Sequence, residues 1–316
     1  MIKKIKNKFL INILIFIVSF TVIFFIINIL MQSKIKQNTN NNFETNILLN
    51  FINYVKNIFN GSFGQIYSET IAKTNVSIPY LFFSYFGLSL IFCLITFLFS
   101  LIIGNILGII SAKYINNVPD KLFTTIINIF TSIPLIILMI ILLVFSSAWG
   151  FPSQYIINSK YTEFSIIVPI FICFIGTVNF FFFKSRKAYL DYINSEHYTF
   201  AKALGFSYIT IFKKFILKQL VINQVKYLFP IYTTLITISL VVERIFNIPG
   251  QSVLISFAYN RAEIDILMFF FTFSLIIMVV LQTLFDILIN TLNPQQTLQQ
   301  NNLSIFSVRR FKYAAK

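Results

Sequence analysis

Charge is what this sequence most lacks. Lys, Arg, Asp and Glu make up 11% of its 316 residues, against roughly 25% in soluble domains. No soluble fold could hide the 57% that are hydrophobic, 40 Phe among them, so the composition describes a polytopic membrane protein. Acidic groups are the scarcer kind: 10 Asp and Glu stand against 25 Lys and Arg, a net charge of +15. In such a chain surplus Lys and Arg signal topology, so no nucleic-acid partner is expected. Histidine occurs once, as His197, and cysteine twice, as Cys93 and Cys173. Both cysteines lie inside apolar runs, apart from any His or acidic cluster. That leaves no metal site and no Cys/His or Ser/His nucleophile set, and they read as small apolar filler. No Gly-rich loop ends in Lys-Ser or Lys-Thr, so the chain is not expected to hydrolyse ATP.

What is present is apolar length. Phe9 to Met31 carries no charge over 23 residues, a helix of about 35 Å, enough to cross a ~30 Å hydrocarbon core with some tilt. Lys3, Lys4, Lys6 and Lys8 precede it, and no small-residue cleavage site follows, so it reads as a retained helix. Five more spans follow: 86–111 with an interfacial lead-in from Tyr80, 122–148 with Pro134, 164–183 with Pro169, 221–242 with Lys226 near its start, and 266–290. Internal prolines are tolerable where neighbouring helices satisfy the freed carbonyls, and Lys226 can snorkel to the interface. The expected fold is all-α with six transmembrane helices. Residues 1–79 form the first helix and an external segment, 80–295 a five-helix core, and 296–316 a basic tail. Within 32–79, apolar residues at 47, 48, 51, 52, 55, 58 and 59 have helical spacing, and "NGSFGQIY" reads as a turn.

Basic residues set the sidedness. With the N-terminus inside, internal segments hold 18 of the 25 Lys and Arg, while external ones hold the other seven and six of the ten Asp and Glu. Both termini are therefore expected in the cytoplasm. "VVERIFNIPGQ", 241–251, then lies outside. Glu243 and Arg244 end the fifth span where charges reach water. The stretch reads either as a polar cap and turn, or as the entry to a short re-entrant helix carrying Val253, Leu254 and Phe257.

The longest internal loop, 184–220, reads as helix, glycine hinge, amphipathic helix. Ala201, Ala203 and Leu204 favour the first helix, and Gly205 can stop it with a positive φ. Ile209, Phe212, Phe215 and Ile216 would share one face of the second, with Lys213, Lys214 and Lys218 elsewhere. Such a loop suits a basic helix on anionic lipid or a docking knob for a cytoplasmic partner. The small residues favour docking.

From this loop outward the sequence resembles the membrane subunit of an ATP-binding-cassette importer, and within that family the B-type subunit of oligopeptide and dipeptide permeases. "AKALGFS", 201–207, is similar to the second half of that branch's cytoplasmic motif, while Thr199 and Phe200 depart from its Glu-Ala start. "GSFGQIY" at 61–67, "SIPLIILMIILLVFS" at 132–146, "WGFP" at 149–152, Pro169 with Gly176, "VVERIFNIPGQSVL" at 241–254, and Asp286 with Asn293–Pro294 resemble its other landmarks in order. Ser252 stands where a second Gly is expected.

The resemblance implies a type I importer permease fold. It implies partners: a homologous second permease, two cytoplasmic ATPases that bind ATP and Mg²⁺, an extracellular substrate-binding protein or lipoprotein, and membrane lipid. The substrate would be an oligopeptide or dipeptide, with nickel or another small solute as the alternative. His197, Ala201, Lys202, Ala203, Leu204, Gly205, Phe206 and Ser207 would couple to the ATPase. Glu243, Phe246, Pro249 and Gly250 would form an external elbow near the gate, and Asp286 an intramembrane charge. The rival class, a secondary transporter or membrane enzyme, needs ionisable groups at the midplane or clustered at one face. Only Asp286 lies clearly within a span.

Overall fold

The computed structural model describes residues 2–37, 46–67, 76–150, 152, 154–156 and 161–292. Readings for the basic tail 296–316, for Asn293–Pro294 and for 38–45 and 68–75 of the external segment lie outside them. Every long regular element among the described residues is helical. In chain order they are α1 (Ile2–Gln37), α2 (Ile47–Phe59), α3 (Ile78–Lys113), α4 (Val118–Ser132), α5 (Leu135–Ser146), α6 (Thr162–Ile193), α7 (Glu196–Ala203), α8 (Tyr208–Ile211), α9 (Leu217–Ile245), α10 (Gln251–Arg261) and α11 (Ile264–Leu292). Five helices are long and apolar enough to cross a membrane, and α4 with α5 makes a sixth if the bent pair is one span.

The second span has no separate lead-in. α3 runs unbroken for 36 residues with proline in its first turn, where a missing N–H costs nothing. At 1.5 Å per residue it is about 54 Å long, well beyond a bilayer core. It packs closely on α6, and two glycines explain how. A Cβ on Gly104 would sit 2.7 Å from Phe181 Cβ and 3.0 Å from Val178 O; one on Gly108 would collide with Phe182 O and Ser185 Oγ. Small residues four apart let two backbones approach. Beside them Ser100 and Thr177 hydroxyls bond at 2.6 Å, and the Asn105 and Gln224 side-chain amides exchange hydrogen bonds between α3 and α9.

The third span is not straight. α4 and α5 meet at 92°. Ile133, the residue before Pro134, has ψ 126°, because the proline ring bars its predecessor from helical geometry; the helix must stop at Ser132. By contrast, Pro169 and Pro230 lie inside continuous helices.

Much of the phenylalanine is used between helices. Phe82 of α3 meets Phe269 and Phe273 of α11 at 5.2 and 5.0 Å, and Phe24 of α1 meets Phe51 of α2 at 5.1 Å. Offset and edge-on ring pairs of this kind add about 0.5–1.5 kcal/mol each beyond area burial. The free cysteines Cys93 and Cys173 are buried among Phe92, Ile172 and Leu235.

The stretch at 184–220 is less of a loop than its polarity suggests. α6 continues through it to Ile193. After α7 and a turn, α8 passes through a π-helical segment, Phe212–Ile216, directly into α9. The apolar face also differs from expectation. Ile216 is buried as expected, but its partner inside is Ile211, while Ile209 is 65% and Phe215 37% exposed; Ile211 and Ile216 are five residues apart, the spacing that one π turn brings into line.

Candidate functional site

The bundle has two ends with different chemistry. At one, the last turn of α9 delivers Glu243. This residue does not reach water: it is 0% exposed. A carboxylate is disfavoured at the C-terminus of its own helix but favoured at the N-terminus of another. Asn247 makes the turn that provides one, in left-handed geometry at φ 52°, which Asn tolerates better than most residues. Pro249 and Gly250 then lead into α10. Glu243 Oε2 accepts the Ser252 N–H at 3.0 Å, and Ser89 Oγ of α3 accepts the Gln251 N–H at 2.9 Å. Gly250 is a glycine for want of room. A Cβ there would lie 2.5 Å from the Glu243 carboxyl and from Ser89 Oγ. Phe246 and Ile248 are buried against Phe92, Met139 and Val242, and the Phe246 carbonyl accepts the Tyr155 N–H at 2.9 Å. Glu243 Oε1, Gln251 Nε2 and Ser252 Oγ are buried without a hydrogen-bond partner among the described residues.

α10 is thus an inserted helix, its Gln251, Ser252, Leu254 and Ala258 buried. The segment after α2 clamps the far side of it. Glu263 accepts the Tyr67 N–H at 2.9 Å, and Asp265 accepts the Gln65 N–H at 2.8 Å and the Tyr67 hydroxyl at 3.4 Å. Gly64 has φ 100°, and a Cβ on it would collide with Asp265. Burial first, then the Asp265 charge beside it, push the Tyr67 phenol further up, so it stays a donor. "GSFGQIY" is a turn, as its composition predicts, and also a strap across the start of α11.

At the opposite end, α7 ends in a glycine cap. Gly205 has φ 79°; its N–H reaches Lys202 O at 3.0 Å and the Phe206 N–H reaches Ala201 O at 3.2 Å. These two bonds define the Schellman closure, which needs a left-handed residue at that place. Ser207 Oγ then caps α8 by accepting the Thr210 N–H at 3.4 Å. Ala201 is buried with Ala112, Tyr189, Ile211 and Ile216. Its small side chain therefore lets α7 approach its own bundle. The surface is formed by His197, Lys202, Ala203, Gly205 and Ser207, with Phe200 and Leu204 65% and 58% exposed and Phe206 beside them.

Next to this end lies an ion pair. Arg186 of α6 grips Asp120 of α4 through Nε–Oδ1 at 3.1 Å and Nη2–Oδ2 at 3.0 Å, and Ser111 of α3 donates to Asp120 at 2.5 Å. Asp286 is half-buried in the second half of α11.

Comparison with known sequences fits this arrangement. The profile of the family described as binding-protein-dependent transport system inner membrane component matches residues 104–297, more than half of the chain. The chain belongs to that family. As a permease it is a multi-pass bacterial membrane protein and the membrane subunit of an ATP-binding-cassette importer, not an enzyme; ATP hydrolysis falls to separate subunits. It is 22% identical over 256 residues to the dipeptide transport system permease protein DppB of Bacillus subtilis, covering 79% of each chain. It is 23% identical over 258 residues to a nickel import system permease protein NikB of Staphylococcus aureus, covering 81% of this chain and 75% of the other. The oligopeptide transport system permease protein OppB of Haemophilus influenzae is 25% identical over 210 residues, with 66% and 67% covered.

The permease's two ends bring together most residues singled out by sequence. Glu243, Phe246, Pro249 and Gly250 meet around the start of α10, and residues 197–207 form one surface around α7. Asp286 belongs to neither group. Asp120 and Arg186 escaped the sequence reading, because 66 residues separate them and Arg186 looks like one more topological cation. The pairing of Gly104 with Gly108 was the overlooked signal for the contact of α3 with α6.

Proposed function

We propose that this permease forms one half of the path by which an ATP-driven importer passes oligopeptides or dipeptides across the bacterial cell membrane. A homologous second permease forms the other half. Two ATPases, carrying ATP and Mg²⁺, dock at the α7 end, and a binding protein or lipoprotein delivers substrate at the α10 end. The surplus of Lys and Arg on the α7 side supports placing that end, with both termini, in the cytoplasm.

One observation carries the reading. α7 and its glycine cap present exposed Phe200, Leu204 and Phe206 at the tip of the bundle, and Ala201 anchors the helix to α3, α6 and α8. An apolar knob on a firm base suits a groove on a soluble partner, and a push on it moves three helices at once. The names of the relatives support peptide transport, and those of the staphylococcal proteins support nickel as the second reading.

The test is purification of the tagged permease with its ATPases, then ATP-dependent uptake by the reconstituted complex. We expect labelled tripeptides to enter and nickel ions not to. Nickel uptake without peptide uptake would overturn the substrate, and absence of any copurifying ATPase would overturn the docking role of α7.

A further inference from the structure

We propose that the cavity between α1 and the α9–α10–α11 group is a subsite for the carboxylate-bearing end of a peptide substrate; this rests on the peptide reading above. The cavity measures about 620 Å³, within the ~300–1,000 Å³ of small-ligand sites. Its walls are apolar, among them Met31 of α1, Leu240 of α9, Ile255 of α10 and Phe271 of α11. Of the side chains that line it, Arg244 is the charged one and is open to a ligand. Ser252 also lines it but is only 7% exposed, with its N–H held by Glu243 and its hydroxyl buried on the Glu243 side. Arg244 is exposed, and no hydrogen bond or ion pair to another described residue engages its guanidinium. The second cation at this rim is already engaged. Lys34 Nζ lies 3.4 Å from the centre of the Tyr259 ring and donates to Tyr259 O at 3.3 Å.

Arg244 also heads a stripe. Thr237, Thr234 and Pro230 follow it down α9 at helical spacing, all exposed. The two threonines give their protons to carbonyls one turn back, at 3.0 and 2.8 Å. Their outward lone pairs are therefore acceptors, suited to peptide N–H groups and of no use to a lipid tail. The geometry seats an apolar last side chain in the cavity and its carboxylate on the planar fork of Arg244. The preceding backbone of the peptide runs along the threonines.

The test uses the complete transporter in proteoliposomes, with binding protein saturating so that the maximal uptake rate reports the membrane step. The probes are the tripeptide Ala-Ala-Phe as free acid and as C-terminal amide. Wild type should move the free acid about tenfold faster, the scale of one charge-assisted contact. Arg244→Gln should bring the free acid down to the amide's rate, and Arg244→Lys should recover part of the difference. Equal slowing of both peptides by Arg244→Gln, or a free-acid preference that survives it, overturns the subsite. So does an effect confined to vesicles containing anionic lipid, which assigns the cavity to a headgroup. Loss of the second permease from the purified Arg244→Gln complex overturns it too, by assigning the cavity to the subunit interface. If the wild-type complex takes up neither peptide, the peptide reading itself fails and this inference falls with it.

Discussion

Replacing Gly250 with alanine tests the elbow at its tightest point. The backbone there, φ −99° and ψ −165°, is open to any residue, so no conformational strain is expected and the effect is purely steric. The new Cβ would lie 2.5 Å from both the Glu243 carboxyl and Ser89 Oγ, where carbon contacts relax at about 3.5–4.0 Å. Something must shift by about 1 Å, and neither neighbour is a loose chain end: Glu243 is tied to Ser252 and Ser89 to Gln251. Overpacking of this kind costs about 1–3 kcal/mol. Removing the carboxylate alone, as in Glu243→Ala, strands the Ser252 N–H at a comparable cost of about 1–3 kcal/mol, but it also empties the space that the alanine needs. The double variant should therefore be less unstable than the two single effects added, by about 1 kcal/mol or more, as contacting residues often show. Thermal unfolding of the detergent-solubilised protein measures all three, at roughly 2–4 °C per kcal/mol for chains of 150–250 residues. Simple additivity, or a Gly250→Ala protein as stable as wild type, refutes the argument that the carboxylate fills the place of a side chain.

Other variants examine the remaining geometry. Gly205→Val places a β-branched residue at φ 79° with nothing within 4 Å of its Cβ; the cost, about 1–2 kcal/mol, falls on the backbone of the cap alone. The variant should insert normally yet copurify with less ATPase, and undiminished copurification with full uptake would show that the cap has no part in docking. Asp120→Ala deprives Arg186 of its carboxylate; with the side chains 7% and 26% exposed, the loss should fall near or below the low end of the ~3–5 kcal/mol seen for broken buried pairs, and Arg186→Ala in the same chain should recover part of it in thermal unfolding. Single cysteines at Asn40 and Gln299, in a background without Cys93 and Cys173, should react with an impermeant thiol reagent on intact cells at 40 and not at 299; the reverse pattern would invert the assigned sidedness.

The spans were legible because a bilayer asks for one thing, about 20 apolar residues in a row, and composition alone delivers it. Their ends were less so. Polarity ended the fourth span near 183, yet α6 runs to Ile193, since a helix leaving the membrane needs no apolar face all round. The break at Ser132 was written in the dipeptide Ile133–Pro134, but a transmembrane proline can kink or merely sit, as Pro169 and Pro230 do. Glu243 could not be read correctly. Beside Arg244 at a span end it looks like half of a solvated pair. Only the return of α10 supplies the amides that make its burial tolerable. Ala201 was misread in direction for the same reason: a small residue announces a close approach, without saying to what. Residues 197–207 were legible as a surface because the glycine cap is a local device, set by a few neighbouring residues.

The contact of α3 with α6 has a mechanical consequence. Where Gly104 and Gly108 press backbone to backbone, a sliding or rotating motion would bring side chains into space that only hydrogen occupies. The two longest core helices are thereby locked as a single strut from one face of the membrane to the other. Among the described residues the breaks in the helices lie elsewhere, at Pro134, at the π turn before α9 and at the elbow at Asn247. Those three joints lie at the ends of α5, α9 and α10, so a change in the angle of these helices to the strut would be taken up there.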